Sequence, residues 1–187
     1  MLSLSLRMDK YASYYSVLEE LAPNGKTKKH VTYNGPYYSF SIDDAAYKKL
    51  KAAYTAIAGL MLLCYLAIAL IGASSLGAGR TPALYTSLPF VLLMFPLGMC
   101  VGKVFLFLFL PSRLEFPSYD KYVVHLKTYS VILLTLSIVT LIGQLIYLIL
   151  TPSAPVSDIM FAVLSAVLSC VSVCFLRMQH KYICTPE

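Results

Sequence analysis

Four stretches of this 187-residue chain run for close to twenty residues with almost no charge, and no other feature constrains its folding as much. A helix needs roughly 20 apolar residues, each rising about 1.5 Å, to cross about 30 Å of hydrocarbon. The stretches are 52–71, 84–104, 128–150 and 159–176. Lys103 interrupts the second near its end, and an apolar run then resumes over 104–110 before Pro111. Each unpaired backbone group in lipid costs several kcal/mol, so a single span of this length must be a helix that pairs its own backbone. The expected fold is therefore an all-α integral membrane protein with four transmembrane helices, arranged as two helical hairpins. Composition agrees: 58% of residues are hydrophobic and 13% charged, against about 25% charged in a soluble domain.

The net charge of +6 and pI near 9.0 invite a nucleic-acid reading, which the placement of the charges removes. Of the 15 Lys and Arg, eight lie in 1–51, four in 103–127 and two after 176, leaving Arg80 alone between the first two spans. These residues flank apolar segments and form no basic stripe joined to a nucleic-acid motif. The positive-inside rule puts both termini and the middle connection in the cytoplasm, so a multi-pass protein of the plasma (cytoplasmic) membrane is expected. The chain divides into a cytoplasmic N-terminal region, 1–51, and a four-span domain, 52–187, with a short tail. Residues 1–6 are too few for a signal h-region, so insertion is expected to use the internal spans. Both outer connections are too short for an extracellular binding domain.

In the N-terminal region, Tyr11, Tyr14, Tyr15, Leu18, Leu21 and Ala22 recur at helical spacing, with Asp9 as N-cap and Pro23-Asn24-Gly25 as a stop. The spacing predicts an amphipathic helix over 9–22, packed on the protein's own inner face or docking a partner through Tyr11, Tyr14, Tyr15, Leu18 and Leu21. Asn34-Gly35 between β-prone runs signals a hairpin, weakened by Pro36; the alternative is a Tyr-rich loop at the headgroup level. Ser41-Ile42-Asp43-Asp44 has capping-box spacing and predicts an interfacial helix from about residue 42 that leads into the first span. Pro117-Ser118-Tyr119-Asp120 signals a second such start, and Tyr47 and Tyr54 match Tyr122 and Tyr129 at an offset of 75. Residues 100–106 resemble 170–176 at an offset of 70, which raises a duplicated two-span unit.

Within the spans, Pro89 and Pro96 accompany Gly98 and Gly102, a small-residue face suited to packing inside the bundle or to a dimer. Ala162, Ala166, Cys170 and Cys174 form a second small-residue stripe. Cys170 and Cys174 lack an intramembrane His or acid to complete a metal site, so no metal is expected. Gln144 is the one large polar side chain deep in a span and calls for an interhelical hydrogen bond; Lys103 is an interfacial anchor or an intramembrane charge.

Among recognisable signatures the chain holds no nucleotide loop, paired zinc-ligand motif or nucleophile elbow, so neither catalysis nor a cofactor is expected. Two functions remain. The first is a non-catalytic accessory or scaffold subunit, bound to the lipid bilayer and to another membrane protein or a second copy of itself. The alternative is a small oligomeric transporter or channel subunit for a neutral, hydrophobic or anionic solute, using Pro89, Pro96, Lys103 and Gln144.

Overall fold

A computed structural model describes residues 11–21, 27–40, 42–77, 84–151, 154–181 and 184–186; the side chains of 17–21, 27–30, 73–77, 84–86 and 184–186 fall outside that description. Each apolar stretch is the centre of a long helix: α1 (Asp44–Gly77), α2 (Leu84–Phe107), α3 (Phe116–Leu150) and α4 (Val156–Lys181). All four are long and apolar enough to cross a membrane, which makes this a multi-pass membrane protein.

The helix ends refine the expected spans. Asp43 caps α1: its Oδ1 accepts the Asp44 N–H at 2.8 Å and its carbonyl accepts the Tyr47 N–H at 2.8 Å. Ser41, the first residue of the capping pattern, lies outside the described residues. At 34 residues α1 is about 51 Å long, so its first turns, with Lys48 and Lys49 exposed, extend past the hydrocarbon. α2 stays helical through Pro89 and Pro96 and stops at Phe107, so Lys103 lies within its last turns. α3 starts at Phe116, ahead of the Pro117–Asp120 signal, because Pro117 suits a first turn where its missing N–H costs nothing. Asp120 then opens a π-helical turn, Asp120–Val124, before regular α-helix resumes at His125.

The helices close a ring in which each packs mainly on its two neighbours, α1 on α2, α2 on α3, α3 on α4 and α4 on α1. Met61, Ile68, Leu93, Leu97, Leu133, Leu168 and Phe175 fill the interior. Large apolar side chains such as Leu70, Phe95, Phe109 and Ile149 point outward, an arrangement stable only where lipid replaces water. The sequence correspondences do not carry into equivalent surroundings: Cys100 is buried and Cys170 exposed, whereas Phe105 is exposed and Phe175 buried.

One end of the ring carries all the strands among the described residues. β3 (Tyr37–Phe40), just before α1, is flanked by β4 (Arg113–Glu115) from the α2–α3 connection and β5 (Cys184–Pro186) after α4, both antiparallel to it. The N-terminal region, the middle connection and the C-terminal tail thus meet in one sheet, as an even number of spans requires.

The amphipathic helix expected over 9–22 is corrected here. A short 3-10 turn, Ala12–Tyr14, leads into β1 (Tyr15–Leu21), which pairs antiparallel with β2 (Thr27–Tyr33). Tyr14, Tyr15 and Val17 are β-formers, the register sets Glu19 opposite Lys29 and Glu20 opposite Lys28, and an isolated helix of fourteen residues is marginal in water. Asp9 and the expected stop at Pro23-Asn24-Gly25 lie outside the described residues. A hairpin does form, but not across Asn34-Gly35. β2 turns back to β1, and β3 leaves for β4 and β5. Gly35 lies where the chain turns, and a Cβ there would crowd the Tyr33 hydroxyl and force that ring to shift.

Candidate functional site

Lysines and tyrosines near the sheet satisfy backbone carbonyls that helix ends leave open. On α1, Lys51 Nζ donates to the Leu108 carbonyl at 2.9 Å and the Leu110 carbonyl at 2.6 Å, just past the end of α2. Tyr47 OH donates to the Pro111 carbonyl at 3.0 Å, and Lys51 lies 4.5 Å from the centre of its ring. On α2, Lys103 Nζ donates to the Lys121 carbonyl at 2.8 Å, inside the π turn. The Asp120 carbonyl accepts from both the backbone N–H and the Nδ1–H of His125, the latter at 2.7 Å, which fixes the imidazole tautomer. Lys103 is therefore anchored at the sheet end of the bundle.

The tyrosines singled out in the N-terminal region lie against that same turn. Tyr11 OH donates to Asp120 Oδ2 at 2.5 Å, Tyr15 OH to Glu115 Oε2 at 3.1 Å, and the Tyr14 ring meets Phe116 edge-on at 5.5 Å. Tyr33 OH accepts the Phe116 N–H at 2.9 Å, and Tyr38 stacks on Tyr119 at 4.3 Å. Burial pushes the Tyr15 phenol above its usual range, reinforced by its hydrogen bond to Glu115 and that carboxylate's charge. Burial raises Tyr33 as well, against the opposing Phe116 N–H. Leu18 and Leu21 lie in β1 opposite His30 and Thr27; their side chains are outside the description.

The α3–α4 contact is a polar seam that the sequence reading caught only in part. Ser130, Ser137, Thr140 and Gln144 on α3 and Ser165, Ser169 and Ser172 on α4 are all buried. Most of these hydroxyls donate to their own helix, as Ser130 does to Leu126 and Ser172 to Leu168, both at 2.8 Å. A glutamine ties each end: Gln144 Nε2 donates to the Asp158 carbonyl at 3.1 Å, and Gln179 Nε2 to Ser130 Oγ at 2.9 Å. Gln179 escaped the reading because the fourth span was ended at 176. The missed signal is a repeat: Ser130, Ser137 and Gln144 are seven apart, as are Asp158, Ser165, Ser172 and Gln179. Among the described residues, Ser165 Oγ is buried with no hydrogen-bond partner.

The two small-residue stripes fare differently from the packing expected of them. Gly98 and Gly102 face outward, where a Cβ on either would meet no atom within 4 Å, so they do not pack inside the bundle. Pro96 is buried and Pro89 half-buried on the same helix. Ala162 is buried and Ala166 half-buried, but Cys170 and Cys174 are exposed. A four-residue step overshoots the 3.6-residue turn, so the stripe drifts out of the interface. Lys103 and Gln144, grouped as a possible intramembrane polar site, are held at the sheet end and at the first turn of α4, at opposite ends of the bundle.

No group of three or more His, Cys, Asp or Glu able to hold a metal occurs among the described residues. No protein-family model, no curated protein and no solved structure matches the chain.

Proposed function

We propose that this chain is a non-catalytic accessory or scaffold subunit of the plasma membrane, with both termini in the cytoplasm, that holds another membrane protein against α2. The observation that carries the reading is the outward notch at Gly98 and Gly102, which no part of the bundle fills. Small residues let helix backbones approach closely in lipid, where packing rather than water exclusion drives association. Phe95 and Phe105, both exposed, flank the notch and would close over an inserted helix. The positive-inside count supports the orientation.

The test is a pair of substitutions, Gly98→Leu with Gly102→Leu, in a tagged protein recovered from its native membrane. The side chains enter open space, so the fold is expected to survive while the partner is lost from the purified particle. Retention of the partner at its original stoichiometry would remove α2 as the docking face.

The α3–α4 seam supports a second reading, an oligomeric transporter or channel subunit, because unpartnered Ser165 Oγ gives its centre unused polar capacity. Solute flux in proteoliposomes that falls on Ser165→Ala or Gln144→Leu would favour that reading; flux absent from the unaltered protein would dismiss it.

A further inference from the structure

Between α3 and α4 nearly every hydroxyl proton is already committed. A serine or threonine has one proton to donate. Ser137 and Thr140 on α3 donate theirs to the Leu134 and Leu136 carbonyls at 2.8 and 2.9 Å. Ser169 and Ser172 on α4 donate to the Ser165 and Leu168 carbonyls at 2.9 and 2.8 Å. Ser130 donates to the Leu126 carbonyl, so the Cys100 thiol, 3.8 Å from Ser130 Oγ, is the donor in that contact. Among the described residues three buried side-chain atoms are left with no hydrogen-bond partner: Asp158 Oδ2, Ser165 Oγ and Gln179 Oε1. All three belong to α4 and recur on its seven-residue stripe, which is the face that meets α3.

An orphaned buried polar atom is costly, and protein interiors satisfy such atoms with ordered water. The chemistry of the orphans names the missing partner. A glutamine oxygen only accepts, so whatever meets Gln179 Oε1 has to donate. Ser165 is 2% exposed, and unlike the other seam hydroxyls it does not bond back to its own helix, so its Oγ can both donate and accept. The register set by Gln144 on Asp158 and by Gln179 on Ser130 brings Thr140 and Ser137 to the level of Ser165. These are small neutral side chains whose oxygens still have lone pairs, and they offer no charge to balance an ion. Water meets every condition, whereas an anion has no proton to give. We propose that the α3–α4 seam binds ordered water at Ser165 Oγ and at Gln179 Oε1, and that these waters bridge α4 to α3. The inference rests on the membrane helices alone and needs neither the notch on α2 nor passage of a solute.

The test is pulsed X-ray radiolysis of the whole purified protein in heavy-oxygen water, with the sites of oxygen uptake read by mass spectrometry. Radicals formed from a bound water attack the side chains beside it. Cys100 and Met61 are both buried and both carry readily oxidised sulfur. Cys100 shares the level of Ser130 and Gln179, whereas Met61 lies in the apolar interior. The expected result is heavy oxygen on Cys100 and none on Met61. Gln179→Leu should lose the Cys100 label, with Met61 still protected as proof that the fold holds. An unlabelled Cys100, a label kept in Gln179→Leu, or equal uptake at Cys100 and Met61 would overturn the water at Gln179. The Ser165 level is read from thermal unfolding of Ser165→Ala, a change too small to threaten the fold. If Ser165 Oγ is dry and orphaned, its removal relieves a penalty and the midpoint rises; if it holds water, the alanine loses those bonds and the midpoint falls. A fall is the expected result, and a rise or an unchanged midpoint would overturn the water at Ser165.

Discussion

Lys51 shows how one side chain links sequence to architecture. Its place just before the first apolar stretch suggests only a snorkelling anchor. In the fold its ammonium spans the Leu108 and Leu110 carbonyls and so joins the entry of α1 to the exit of α2. Lys51→Met keeps the apolar stem and removes those charge-assisted bonds, which should cost about 2 kcal/mol. Reversible unfolding of the detergent-solubilised protein checks this, and an unchanged midpoint would assign the lysine to water. Tyr15 allows a second test. Its raised ionisation means that the fold favours the neutral phenol. That contribution is complete below the unfolded value of 10.0 and is lost as pH rises through the folded one. In an alkaline titration, the phenolate absorbance missing from Tyr15→Phe should therefore appear with a midpoint above 10.0. A midpoint at or below that value would mean that Tyr15 does not pack against Glu115.

Among the elements, the four long helices were legible because length and apolarity alone identify them. Their faces were less so. A four-residue spacing groups Ala162 with Cys174, yet the buried set on α4 is Ala162, Ser165, Leu168, Ser169, Ser172 and Phe175. Lipid-facing and bundle-facing residues are both apolar, so hydrophobicity cannot separate them, whereas the seven-residue recurrence of serines and glutamines can. This distinction can be tested by adding volume. Ser137→Leu places a larger side chain in the closed α3–α4 seam and should destabilise the protein by about 1–3 kcal/mol. Gly98→Leu enters open space and should stay within about 0.5 kcal/mol. Similar costs in thermal unfolding would show that the two faces are not distinguished as described. The strand β1 was misread for a different reason: its Tyr and Leu spacing fits a helix, and only the complementary strand Thr27–Tyr33 decides against it. The π turn was unreadable, since its carbonyls are held by Lys103 and His125 through contacts no local pattern encodes.

At the scale of the molecule, the sheet that gathers β3, β4 and β5 places the N-terminal region, the middle connection and the C-terminal tail at one end. Sequence charge had already placed fourteen of fifteen basic residues on those segments. The two observations are independent, since one rests on backbone pairing and the other on counting Lys and Arg. The bundle is filled inside, where Met61, Ile68, Leu93 and Leu133 are fully buried, and its outer faces carry large exposed apolar side chains. Recognition at those faces is the central claim. It is tested most directly by recovering the C-terminally tagged protein from its native membrane in mild detergent, then measuring the particle's mass and identifying its components by mass spectrometry. The account predicts a second membrane protein at fixed stoichiometry. A homogeneous particle containing this chain alone would contradict it.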